Sequence, residues 1–200
     1  MPRVGLTGGI STGKTTVGAM FVELGCRLID SDRITHDLFE PGHAVHEAVV
    51  GEFGTGIRDG EGRIDRRRLG EIIFDDPLRR AKLNQLVHPA VIERQKEFLD
   101  AVEAEDPAAV AIVDAALMIE VGTYKNYDKV VVVICTPDQQ RSRLQKRAGL
   151  SDQDIEKRIR SQMPMEEKVK YADFVVDNAG SLDATRSQVV ATYEKLRGAA

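Results

Sequence analysis

The clearest chemical signal lies near the start of the chain, where glycines, hydroxyl side chains and one lysine crowd into GLTGGISTGKTT, residues 5–16. Gly8, Gly13, Lys14 and Thr15 fit the pattern G-x-x-x-x-G-K-[ST]. Glycines let successive backbone N–H groups turn toward an anion, and the N-terminus of a following helix adds positive charge. Lys14 would supply a cation for the outer phosphates and Thr15 a hydroxyl ligand for Mg²⁺. The pattern predicts a loop that binds a nucleoside triphosphate, rather than a chance glycine-rich turn.

Carboxylates at two strand ends are the next candidates. Asp30 and Asp32 follow an apolar run, and Asp114 ends another. A kinase needs a carboxylate that orients or deprotonates the acceptor hydroxyl, and a ligand for Mg²⁺ or its waters. Two other interpretations stay open, because Asp32 could cap a helix that starts near Arg33 and Asp114 could cap a loop. We favour Asp32 over Asp30 as the acceptor-side carboxylate, although the sequence hardly separates them.

Basic residues cluster after residue 137, at Arg141, Arg143, Lys146 and Arg147. Arg143 and Arg147 are four positions apart and therefore share a helical face. Such a face could cover the charge of a phosphoryl group in transfer, or could simply be solvated.

The elements that position these residues follow from apolar runs and breaks. Strands are predicted at 3–7, 26–32, 109–117, 128–136 and 173–178. Helical patterns separate them, the first with Val17, Met20, Phe21 and Leu24 on one face and Gly25 as its terminator. Strands alternating with helices predict an α/β fold with a mostly parallel sheet of five strands flanked by helices.

Two segments fall outside this alternation. Residues 34–106 predict an inserted helical lobe for the acceptor, with breaks at Pro41-Gly42, 51–62 and His88-Pro89. Residues 137–165 predict a helix–loop–helix lid with a flexible joint at 147–151. The core of this single domain would then be residues 1–33, 107–136 and 166–200.

Composition bounds the possible partners. The chain has 200 residues, 30% of them charged, and a formal net charge of −4. General nucleic-acid binding is therefore not expected, and no apolar run approaches the roughly 20 residues that span a bilayer. Cys26 and Cys135 are expected to be buried thiols in a reducing compartment, which, with no secretory signal visible, predicts a cytoplasmic protein.

Among nucleotide-binding classes, a GTPase is disfavoured. A GTPase would need an Asn-Lys-x-Asp motif and an Asp-x-x-Gly motif after a strand. The chain has no Asn-Lys-x-Asp, and after the third strand it reads DAAL, residues 114–117, without the glycine. A small-molecule kinase fits best. The alternatives are a kinase for a nucleotide, nucleoside or sugar acid, and a nucleotide-binding regulatory module without an acceptor.

The ordered motifs resemble the dephospho-CoA kinase family over nearly the whole chain. Besides the opening loop, the similar segments are LIDSDRITHDLFEPG (28–42), RIDRRRLGEIIFDD (63–76), LVHPAVIE (86–93), VDAALMIEVG (113–122), RSRLQKRAGLS (141–151), RIRSQM (158–163) and ADFVVDNAGSL (172–182).

This resemblance implies a P-loop kinase fold, and phosphorylation of the ribose 3′-hydroxyl of dephospho-CoA by ATP with Mg²⁺. No nucleic-acid or membrane partner is expected from the charge and the apolar runs, and no obligate protein partner is indicated. The residues expected in each role are, for catalysis, Asp32, Lys14, Arg143 and Arg147; for ATP, Ser11, Thr12, Gly13, Lys14, Thr15, Thr16, Asn178 and Gly180; for the acceptor, Asp32, Arg66, His88 and Glu120; and for Mg²⁺, Thr15 and Asp114.

The chain departs from the family pattern in two places. Ser11 and Thr12 stand where Gly-Ser is usual, so Ser11 must tolerate the conformation of the loop. Ala116 and Ile119 replace the usual proline and a common phenylalanine after the third strand.

Overall fold

The computed structural model describes residues 1–74, 76–148 and 151–198, without the side chains of residues 147 and 148. Five strands form one sheet in the order β2-β3-β1-β4-β5, and the β1–β3, β1–β4 and β4–β5 pairs are parallel. The strands are β1 (Arg3–Gly8), β2 (Arg27–Asp30), β3 (Ala111–Asp114), β4 (Lys129–Ile134) and β5 (Phe174–Asp177). The predicted α/β class with a five-stranded parallel sheet is confirmed.

Helices connect these strands throughout the described residues. They are α1 (Lys14–Glu23), α2 (Ser31–Leu38), α3 (Ala44–Phe53), α4 (Arg66–Ile73), α5 (Pro77–Glu105), α6 (Pro137–Ala148), α7 (Asp152–Arg160), α8 (Met165–Val169) and α9 (Leu182–Gly198), with short 3-10 turns at Thr55–Ile57 and Thr123–Asn126. Gly149 and Leu150, in the predicted flexible joint, lie outside the described residues.

The chain divides into two compact units. The first comprises Met1–Ile29 and Leu99–Ala200 and holds nearly the whole sheet; the second comprises Asp30–Phe98 and is mainly helical. The predicted lobe and lid boundaries stay predictions. No helix of the described residues has the length and apolarity needed to cross a membrane.

The sheet is covered on both faces, as its apolar strands require. On β4, Val131 and Val133 join one buried cluster with Phe21 of α1, while Val130 and Val132 belong to a second cluster. All four valines are at most 4% exposed. This burial fixes the strands whose carboxyl ends carry the predicted site residues.

Helix α1 has the predicted apolar face. Val17, Met20 and Phe21 are buried, and Leu24 packs partly buried against the same cluster. Gly25 follows with a φ of 96°, the left-handed conformation expected of a helix terminator.

The predicted break at His88-Pro89 is wrong, because α5 continues through Pro89. A proline inside a helix costs roughly 3 kcal/mol. Leu83, Val87 and Val91, at 9%, 5% and 7% exposed, bury one face of α5 on both sides of the proline. Each buried aliphatic side chain contributes about 1.5–3 kcal/mol, which together exceeds that cost.

The two thiols differ in environment. Cys26 is buried, and burial raises its pKa to about 12. Cys135 is only partly buried, which corrects the expectation that both were buried. It directly follows β4.

Candidate active site

The loop between β1 and α1 has the backbone conformation of a phosphate-binding turn. Gly13 caps α1 with a φ of 94°, and Ser11 adopts a φ of 58°. A Cβ atom at Gly13 would overlap Nδ2 of Asn178, so only glycine fits at this position. Ser11 is the one non-glycine residue of the described chain with positive φ. Ser11 therefore adopts a backbone conformation that a glycine would adopt more readily.

Thr12 and Asn178 brace this loop from inside. Thr12 is 1% exposed and its hydroxyl donates to the Gly9 carbonyl at 2.9 Å. Asn178, 5% exposed, donates from Nδ2 to the Thr12 carbonyl at 2.8 Å. The Thr185 hydroxyl donates to Oδ1 of Asn178 at 3.1 Å and fixes the orientation of the amide. Both predicted ATP-binding residues thus hold the loop backbone.

Arg143 reaches the same backbone from α6. Its Nη1 donates to the Thr12 carbonyl at 3.0 Å and more weakly to that of Ser11 at 3.5 Å, and its Nη2 donates to the Asn178 carbonyl at 3.1 Å. The guanidinium therefore lies beside the phosphate loop and donates to backbone carbonyls of the loop and of Asn178. Its predicted role toward phosphate stays a prediction.

Two glutamines that the sequence analysis missed bind a single loop residue. The Ile10 N–H donates to Oε1 of Gln162 at 2.7 Å, and Nε2 of Gln140 donates to the Ile10 carbonyl at 2.7 Å. Gln140 lies in α6 and Gln162 follows α7. Gln162 lies in the family-like segment RIRSQM, but nothing in the sequence shows that either glutamine contacts Ile10.

A partly buried ion pair joins the loop lysine to the strand carboxylate. Nζ of Lys14 contacts Oδ1 of Asp114, and their side chains are 14% and 5% exposed. Thr15 and Thr16 are exposed in the first turn of α1, which contains no acidic residue. The Lys14 ammonium and the positive N-terminal end of α1 therefore both favour the binding of an anion at this end of the helix.

In the second unit, Asp30 and Asp32, at the junction of β2 and α2, make different contacts. β2 ends at Asp30, whose Oδ1 accepts the Asp32 N–H at 2.8 Å and caps α2. Asp32 is exposed in the first turn of α2. The helix-cap interpretation considered for Asp32 thus belongs to Asp30, and the Asp32 carboxylate is not used as the cap.

The remaining acceptor-side candidates are spread over the two units. Arg66 is exposed at the start of α4, after the cap residue Asp65. His88 is half-buried in α5, and this burial lowers its pKa. Glu120, in the first unit, pairs through Oε1 with Lys168 at 3.0 Å. Its Oε2 is buried without a hydrogen-bond partner among the described residues.

The first unit therefore brings together Lys14, Asp114, Arg143 and Asn178 with the loop, whereas Asp32, Arg66 and His88 belong to the second. Gly180 is exposed just beyond β5, and the Arg147 side chain lies outside the described residues. A glycine-rich loop opening a helix on a parallel sheet, with a lysine among its anion-binding groups, defines a P-loop nucleotide-binding fold.

Comparison with known proteins narrows this class. A model of the dephospho-CoA kinase family matches residues 3–184. A dephospho-CoA kinase of Aquifex aeolicus is 45% identical, with 98% of each chain covered, and one of Symbiobacterium thermophilum is 43% identical over 99% of this chain and 82% of its own. The solved structure of dephospho-CoA kinase from Campylobacter jejuni superposes with a TM-score of 0.73 at 27% identity, covering 98% of each chain.

The chain belongs to the dephospho-CoA kinase family. The predicted resemblance is confirmed, and with it the P-loop kinase fold and the assignment as a kinase, a transferase of coenzyme A biosynthesis. The alternatives of another small-molecule kinase or a regulatory module are not favoured.

Proposed function

We propose that this chain transfers the γ-phosphoryl group of ATP to the ribose 3′-hydroxyl of dephospho-CoA, giving coenzyme A and ADP. The observation that carries the proposal is the phosphate loop, with Lys14 beside Asp114, in a chain of this family. The acceptor oxygen forms a bond to the γ-phosphorus as the bond to the β,γ-bridging oxygen breaks. The hydroxyl proton leaves to a carboxylate or to solvent.

The loop residues supply the donor side. Backbone N–H groups of residues 11–16 and the N-terminus of α1 would bind the β- and γ-phosphates. Lys14 would turn its ammonium from Asp114 to the outer phosphates, where it offsets charge that builds up during transfer. Asn178 and Gly180 would lie near adenine, Asn178 also keeping the loop in shape through the Thr12 carbonyl.

Thr15 and Asp114 fit a magnesium site by their chemistry. The Thr15 hydroxyl is exposed at the loop and the Asp114 carboxylate ends β3 beside Lys14. Hydroxyl and carboxylate oxygens are the hard ligands that Mg²⁺ prefers, directly or through water. When bound with ATP, Mg²⁺ neutralises phosphate charge and orients the γ-phosphoryl group.

The acceptor side is proposed to involve Asp32, Arg66, His88 and Glu120. Asp32 is proposed to orient the 3′-hydroxyl and take its proton, since Asp30 is occupied as the cap of α2. Arg66 is proposed to bind an anionic part of dephospho-CoA and His88 to contact it. Glu120, which pairs with Lys168 through Oε1, is proposed to contact the acceptor as well.

The lid arginines would complete the site. Arg143 and Arg147 are proposed to neutralise phosphate charge when the lid covers ATP and excludes water. The proposal includes a cytoplasmic location and no nucleic-acid, membrane or obligate protein partner.

The proposed function is tested by measuring the rate of ADP formation from ATP, in the presence of Mg²⁺, with each of several acceptors. We expect dephospho-CoA to accelerate ADP formation far more than AMP, adenosine, shikimate or gluconate, with coenzyme A as the product by mass spectrometry. Dephospho-CoA without its ribose 3′-hydroxyl is the matched control and should give no acceleration. A sugar acid or AMP as the best acceptor would contradict the proposal.

A further inference from the structure

A fully buried lysine outside the predicted site touches the phosphate loop. The Lys168 side chain, in α8, is 0% exposed. A buried ammonium is costly unless a counter-ion and acceptors surround it, and it has three N–H groups to satisfy. The free-energy cost of burying the Lys168 ammonium must therefore be offset by the groups that it contacts.

Three acceptors surround Nζ of Lys168. They are Oε1 of Glu120 at 3.0 Å, the Ala116 carbonyl at 2.8 Å and the Gly8 carbonyl at 3.4 Å. Gly8 is the last residue of β1 and the first glycine of the phosphate-binding motif. Ala116 lies two residues after Asp114, the partner of Lys14. One ammonium thus contacts both segments that carry the proposed nucleotide-binding groups.

Neighbouring hydrogen bonds extend this cluster. The Thr7 hydroxyl donates to the Ala116 carbonyl at 3.2 Å, and the Met163 N–H donates to Oε1 of Glu120 at 3.0 Å. The cluster therefore connects the end of β1, the segment after β3 and the chain leading into α8.

We propose that Lys168 is a positioning residue for phosphate transfer: its ammonium fixes the Gly8 carbonyl and the Ala116 segment, and thereby the loop and Asp114. Lys168 does not touch the nucleotide and acts through backbone it holds. Glu120 compensates its charge. The inference rests on the proposed function in one respect only, that the loop binds ATP.

Variants that remove first Lys168 and then both Lys168 and Glu120 distinguish a role in positioning the loop from a role in protein stability alone. Lys168→Met alone leaves the Glu120 carboxylate buried without its counter-ion, and should lower Tm by roughly 6–20 °C. Lys168→Met/Glu120→Gln has no unpaired charge and should recover most of this loss. If Lys168 positions the loop, the double variant should still bind ATP at least about tenfold more weakly than Glu120→Gln alone does.

The experiment measures Tm and the Kd for ATP by calorimetry, without any acceptor. Lys170→Met is the matched control, because Lys170 lies two positions away, is 66% exposed and pairs with Glu167; its Kd for ATP should match the wild type. Lys168→Gln/Glu120→Gln gives the same comparison where the methionine variant does not fold.

A double variant with recovered Tm and the ATP affinity of Glu120→Gln would overturn the inference and leave the pair with a structural role only. The acceptor assay on the wild type judges the proposed function separately. A wild type that binds ATP but does not phosphorylate dephospho-CoA would contradict that function and leave the Lys168 inference standing.

Discussion

Asp30 and Asp32 allow the sharpest test of the proposed chemistry, because the same substitution at each position should damage different properties. Asp30 accepts the Asp32 N–H at 2.8 Å as the cap of α2. Asparagine caps a helix about as well as aspartate, so Asp30→Asn should change stability by only a few tenths of a kcal/mol. Asp30→Ala removes the cap and should cost about 0.5–2 kcal/mol, or roughly 1–8 °C in Tm.

Asp32→Asn should leave stability nearly unchanged, since the side chain is exposed and loses only a favourable charge in the first turn, worth about 0.3–1 kcal/mol. Its effect should appear in the chemical step. A general base contributes roughly 10²–10⁴-fold, or about 2.7 kcal/mol at its lower limit. We expect kcat to fall at least about a hundredfold with little change in the Kd for ATP.

The assay is kcat at saturating ATP and dephospho-CoA, with the Kd for ATP and Tm measured on the same samples. Asp37→Asn is the control, because Asp37 is an exposed carboxylate of the same helix and makes the same change of charge. A near-normal kcat for Asp32→Asn together with a collapse for Asp30→Asn would refute the assignment and give the catalytic role to Asp30.

Four further substitutions test the site. Lys14→Ala should weaken ATP binding by about 1.5–3 kcal/mol, as expected for a lost contact to charged phosphate, and calorimetry showing unchanged affinity would remove Lys14 from the phosphate site. Arg143→Ala should lower kcat more than ATP affinity and also lower Tm, since three backbone carbonyls lose a donor; full kcat would favour a purely structural arginine. Ser11→Gly should raise Tm by roughly 1–4 °C, because relief of the positive φ, about 1–2 kcal/mol, exceeds the 0.4–1 kcal/mol entropic cost of glycine; a lower Tm would show that serine is not strained there. Burial lowers the pKa of His88 in the folded chain, so the unfolded state binds more protons, and stability should fall as pH drops below about 6.5. Denaturant titrations of His88→Gln should show a weaker loss over this window, and an unchanged slope would exclude His88 as its source.

The parts of the fold that the sequence predicted are those with a strong local pattern. The strands are apolar on both faces because helices cover both sides of the sheet, so β4 is recognisable from its valines alone. The phosphate loop is recognisable because backbone geometry dictates its glycines: Gly13 has no room for a Cβ atom.

What the sequence could not predict depends on contacts between distant residues. Gln140 and Gln162 reach Ile10 across 130 and 152 positions, and no local pattern in the sequence predicts these contacts. The predicted break at His88-Pro89 was wrong for a related reason. The local preference of Pro89 indicated a break, but burial of Val87 and Val91 outweighs it.

Arg143 has contacts in the structure that its charge alone did not predict, while its role toward phosphate stays a prediction. The sequence shows only that Arg143 is positively charged, and a positive charge near a phosphate loop is expected to bind phosphate. In the structure its N–H groups instead donate to the carbonyls of Ser11, Thr12 and Asn178. These carbonyls carry partial negative charge close to the loop that must bind an anion. A guanidinium that neutralises them leaves the N–H groups of the loop with more net positive potential. Arg143 can therefore favour phosphate binding through the loop itself, independently of any movement of α6.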